Sequence, residues 1–97
     1  MKAALEFFNK AILYDKSNTK ALKNRGNTLA KLERFQEAKA DYFKILDILP
    51  NDGGTMMNLG NIMHQTGEVE KACQYWQKAL NNGYNDAQKM ITKYCKK

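Results

Sequence analysis

Residues of this chain recur at an offset of 34. Asn24, Gly26 and Asn27 return as Asn58, Gly60 and Asn61, Ala38, Lys44 and Leu46 return as Ala72, Lys78 and Leu80, and Asn51-Asp52 returns as Asn85-Asp86. Roughly two such identities are expected by chance from average composition over one span of this length. Tyr42 and Phe35 return in kind as Trp76 and Val69, while Ala4, Phe8 and Lys10 fall one period before Ala38, Tyr42 and Lys44. A short unit that repeats cannot shield its own apolar face and must lay it against a neighbouring copy. The phase divides a single domain, 1–97, into a leading half unit 1–18, full units 19–52 and 53–86, and a closing segment 87–97.

Within each unit the apolar residues follow helical spacing. Leu22, Gly26, Leu29 and Leu32 form one stripe, and Phe35, Ala38, Tyr42, Ile45 and Leu49 the next. Met56, Leu59, Gly60 and Met63 repeat the first, Val69, Ala72, Cys73, Trp76 and Leu80 the second, and Ala87, Met90, Ile91 and Tyr94 begin a last one. Ser17-Asn18-Thr19, Pro50 to Gly54, Thr66-Gly67 and Asn81-Asn82-Gly83 carry the capping and turn chemistry that separates helices. This spacing predicts six helices, near 2–15, 19–32, 35–49, 54–66, 69–82 and 86–95, and no strand. A glycine inside a helix costs about 1 kcal/mol relative to alanine. Gly26 and Gly60 at one phase therefore predict a close approach of the paired helix, with Ala38 and Ala72 as the facing residues and Tyr42 and Trp76 filling the space beside them.

Composition agrees with a folded chain: 43% of residues are apolar and 27% charged. No apolar run reaches the roughly 18 residues that a membrane span needs. Glu6 and Asn9 interrupt the segment where an export signal would be apolar throughout. The net charge of +6 favours acidic partners, whether an acidic peptide, nucleic acid or an anionic surface, over basic ones.

The same residues resemble the tetratricopeptide repeat. Its pattern of a large residue, Leu-Gly, a large residue, Ala, an aromatic, Ala and Pro is met from Thr19 by Leu22, Arg25-Gly26, Leu29, Ala38, Tyr42, Ile45 and Pro50. From Gly53 it is met by Met56, Leu59-Gly60, Met63, Ala72, Trp76 and Ala79, with Tyr84 in place of proline. The leading half supplies Ala4, Phe8 and Ala11, with Lys16 at the proline position, and the junction from Lys78 to Ala87 resembles the related Sel1-like repeat. The resemblance implies an all-α fold, antiparallel helix-turn-helix repeats stacked as a right-handed α-solenoid. It also implies a helix ahead of residues 2–15. The expectation is that the chain begins within a longer array, or that the apolar face of the first helix, with Leu5, Phe7 and Phe8, is left partly exposed or is covered by a second copy.

In the resembling family the first helix of each repeat lines a concave groove that grips an extended peptide or a helix. Carried over by position, the partner-binding residues are Lys20, Lys23, Asn24, Asn27 and Lys31, then Met57, Asn58, Asn61, His64 and Gln65. Asparagine amides can bond both the N–H and the C=O of a peptide backbone, and lysines favour acidic side chains or a terminal carboxylate. Some members clamp a C-terminal carboxylate with a Lys-Asn, Asn, Lys-Arg set. Lys23, Asn27 and Asn58 match its first positions, but Gln88 and Thr92 stand where the closing cations belong, so the clamp is incomplete. The asparagines have an equal structural reading, as hydrogen bonds between helices.

Cys73 and Cys95 lie at positions symmetric about the turn at residue 84, so the two helices of a hairpin bring them opposite one another. They either form a disulfide, worth roughly 3 kcal/mol by loop entropy, or are two reduced core residues. The first implies an extracytoplasmic compartment and the second a cytoplasmic one. His64 is the sole histidine and reads as a solvated groove residue, and no metal cluster is expected. Trp76 and Tyr42 read as core wedges. There is no phosphate-cradling loop and no nucleophile with a plausible base, so neither an enzyme nor a cofactor is expected.

The leading reading is a protein-interaction scaffold. The alternatives are nucleic-acid binding by the basic helical surface, disfavoured by Asp41, Asp47 and Asp52 among the lysines, and a purely architectural spacer.

Overall fold

A computed structural model describes residues 2–95, apart from the side chain of Lys2. The last two residues of the expected closing segment, 96 and 97, lie outside the described residues. The order is α1 (Lys2–Tyr14), α2 (Thr19–Lys31), α3 (Phe35–Ile48), α4 (Gly53–Gln65), α5 (Val69–Asn81) and α6 (Ala87–Tyr94), with no strand among the described residues. The chain divides after Pro50 into two compact units.

Local chemistry sets the helix boundaries. Asn18 caps α2, its side-chain oxygen accepting the Ala21 N–H at 3.0 Å. Asp52 precedes α4 and accepts the hydroxyl of the fully buried Thr55 at 2.5 Å. Helices α2, α4 and α5 end alike. The residue after the C-cap enters the left-handed region, and two reversed hydrogen bonds close the last turn, such as Glu33 N–H to Ala30 O and Arg34 N–H to Leu29 O. Gly67 and Gly83 adopt this conformation freely, but at the same phase of the earlier turn stands Glu33, with φ +60°.

In the first unit α2 packs on both α1 and α3, burying Leu22, Leu29, Ala38, Tyr42 and Ile45. In the second, α5 packs on both α4 and α6, burying Met56, Leu59, Ile62, Met63, Ala72, Trp76, Ala79 and Ala87. Each large side chain of this kind contributes roughly 1.5–3 kcal/mol when fully buried.

The glycines differ in detail from expectation. A Cβ added at Gly26 would lie 2.8 Å from Tyr42 Cε1, and one at Gly60 would lie 2.5 Å from Trp76 Cδ1 and Nε1. The nearest neighbours are thus the rings themselves, and Ala38 and Ala72, though wholly buried, are not among them. A ring seated on bare backbone fills the space that a facing alanine would leave open.

The apolar face of α1 is only half covered. Leu5, Phe8 and Ile12 are partly buried, whereas Phe7, Leu13 and Tyr14 are 69%, 80% and 96% exposed.

Candidate interaction surfaces on the helical hairpins

On α2, Lys20 and Lys31 are exposed, and Lys23, Asn24 and Asn27 are half-buried. On α4, Gln65 is exposed and Met57, Asn58, Asn61 and His64 are half-buried. Each unit can therefore present its own residues from this set to a partner.

The two asparagines at the glycine-proximal phase have internal bonds. Asn27 Oδ1 accepts the Tyr42 hydroxyl, and Asn61 Oδ1 accepts Trp76 Nε1–H at 3.1 Å. The donors are the rings that rest on Gly26 and Gly60, so each asparagine satisfies the one polar atom of a buried aromatic. Burial, and after it the charge of Asp41, pushes the Tyr42 phenol up to about 12. The identical separation of the two pairs, Asn27 to Tyr42 and Asn61 to Trp76, was the sequence signal for this role.

His64 is half-buried and lies against two rings. Its centroid is 4.1 Å from that of Tyr94 on α6 and 5.8 Å from that of Trp76. Helix α6 carries Tyr94 across to the α4 side of the hairpin. Gln88 Nε2 donates to Thr92 Oγ1 at 3.1 Å, so the two positions where a carboxylate clamp requires cations hold a neutral pair bonded to each other. Cys73 and Cys95 are joined by a disulfide, with a Cα separation of 5.9 Å, tying α6 to α5.

One group of residues went unnoticed in the sequence. Arg25 makes a two-pronged ion pair with Asp41, Nε to Oδ2 at 2.8 Å and Nη2 to Oδ1 at 2.6 Å, and its Nη1 donates to Asn9 Oδ1 at 3.0 Å. The hydrogen bond to Asp41 is the main cause that holds the guanidinium above its ordinary pKa. Asp41 is nearly buried, and the network links α1, α2 and α3. Its signal was the appearance of Arg25 where the next unit has Leu59, a charge at an apolar phase.

Among the described residues, no group of three or more His, Cys, Asp or Glu is placed to hold a metal, and no helix is long and apolar enough to cross a membrane.

Helical hairpins of one phase, each built from a glycine-bearing first helix and an aromatic-bearing second, define a helical-repeat protein. Residues 19–52 match the family model of the tetratricopeptide repeat, which supports assigning this repeat to that family. Its repeats are commonly protein–protein interaction modules and typically non-enzymatic. No curated protein matches the chain.

Proposed function

We propose that this chain is a docking module in which each unit binds a segment of another protein on its own surface, the outward face of α2 in the first unit and that of α4 in the second. The observation that carries the reading is the repeated anchoring of Asn27 and Asn61 by Tyr42 and Trp76. Amides fixed by the core lose little rotamer freedom when a peptide backbone bonds to them. Lys20, Lys23 and Lys31 on α2 add a preference for acidic side chains or a terminal carboxylate, with the net charge of +6 steering such a partner inward. Recognition is then by shape and hydrogen bonding on a preformed surface.

The test is a titration of the 15N-labelled chain with a short acidic peptide bearing a free C-terminal carboxylate. Saturable shifts are expected along Lys20–Lys31 and Met57–Gln65, and Lys20→Glu with Lys23→Glu should weaken binding by about tenfold, as removal of a charged contact does. An absence of shifts at these residues points to an architectural spacer. Tighter, steeply salt-dependent binding of oligouridylate at the same residues makes the surface a nucleic-acid site instead.

A further inference from the structure

Helices α1 and α3 both lean on α2 and leave a cleft between them, floored by Leu22, Arg25 and Leu29. The Arg25–Asn9 hydrogen bond crosses it, with cavities of about 310 and 370 Å³ on either side. Both volumes are at the small end of the range of ligand clefts, about 300–1,000 Å³, a size for side chains more than for a cofactor.

The two cavities differ in charge. The charges lining the smaller one are paired within the chain, Arg25 with Asp41 and Arg34 with Glu37. The larger is walled by Ile12, Leu13 and Leu22, and Lys16 from the end of α1 and Lys44 from α3 stand at its edge. Among the described residues neither lysine has a carboxylate within ion-pair distance. Asp15, beside Lys16 in sequence, accepts the Ser17 N–H instead. Apart from Asn9 and the mutually paired Arg25 and Asp41, which line both cavities, the place is apolar within and cationic at the rim, and Leu13 is 80% exposed on its wall.

We propose that this cleft docks an acidic segment of a partner protein. An apolar side chain of that segment enters between Ile12, Leu13 and Leu22, and flanking carboxylates meet Lys16 and Lys44. Charge selects this occupant over a second copy, because the chain carries +6 overall and a second α1 would bring Lys10 and Lys16 against the same rim. Shape selects it over a membrane, because a flat surface cannot reach a floor residue such as Leu22, 2% exposed, whereas one inserted side chain can. The site lies on a different face from the α2 and α4 surfaces proposed above and stands or falls separately.

The experiment uses the whole 15N-labelled chain and an end-blocked short peptide with one leucine flanked by glutamates. Saturable shifts are expected at Asn9, Leu13, Ala40 and Lys44. Changing the leucine to serine, or the glutamates to glutamines, should each weaken binding by about tenfold, and so should Lys16→Glu with Lys44→Glu. Both lysines are exposed, so circular dichroism is expected to show the variant folded. Shifts confined to the α2 and α4 faces, serine and leucine peptides of equal affinity, or no saturation at millimolar peptide would overturn the proposal. So would a dimer in sedimentation that removes the α1 and α3 shifts, or preferential binding of phosphatidylserine vesicles through Leu13.

Discussion

Trp76 and Tyr42 occupy one phase of the repeat, and what each needs from its neighbours explains much of the residue pattern. A wholly buried ring with a polar atom requires bare backbone beneath it and an acceptor beside it, supplied by Gly60 and Asn61 for one and by Gly26 and Asn27 for the other. Alanine at either glycine would gain about 1 kcal/mol of helix propensity but force the ring to move, an overpacking cost of about 1–3 kcal/mol. Gly60→Ala is the worse case, since the approach is 2.5 Å against 2.8 Å and the indole is held by its bond to Asn61. Denaturant unfolding is expected to show Gly60→Ala destabilised by about 1–2 kcal/mol, and Gly26→Ala by less. The Tyr42 phenol supplies a second expectation. Its folded-state value of about 12 lies above the ordinary tyrosine value of about 10, so the folded state keeps a proton that the unfolded state releases between the two. The associated stability is complete below pH about 10 and is lost as pH rises towards 12. An ultraviolet titration should show one late phenolate step that Tyr42→Phe abolishes.

At the scale of elements, α6 is the least self-sufficient helix. It has eight residues and buries Ala87 fully, and an isolated helix of that length is not stable in water. What keeps it in place is the disulfide to α5 together with Tyr94 against His64 and Trp76. Reduction should cost about 2–4 kcal/mol, and hydrogen exchange should show the loss concentrated in α6, with α2 and α3 unaffected. Uniform loss across both units would show that α6 is not an independent element. Helix α1 is the opposite case. Thirteen residues form its turns, but Phe7, Leu13 and Tyr14 remain in water, because α2 covers one face only.

For the whole molecule, the six helices were legible in the sequence to within one or two residues at each end. Stripes at helical spacing, capping asparagines and glycine turns act locally and do not depend on which neighbour is met. Glu33 shows the limit of that reading, since a left-handed turn was not marked by its residue type and follows only from the phase it shares with Gly67. The candidate surfaces were legible as positions but not as states. Asn27, Asn61 and His64 could be placed on the first helices of their hairpins, yet whether their polar atoms face a partner or a neighbouring ring depends on residues twelve or more positions away. The Arg25, Asp41 and Asn9 network was illegible for the same reason, since it joins three helices through side chains that no local pattern relates.

The sequence alone determined the period, the helices and the identity of the wedges, because each rests on the spacing of apolar and turn-forming residues along one short stretch of chain. Only the tertiary structure decided which side chains those wedges bond, that Cys73 and Cys95 are joined, and that α1 and α3 stand apart over α2 with Lys16 and Lys44 at the rim. Those outcomes turn on contacts between distant residues and on where packing leaves a gap, and a gap is a property of several helices at once.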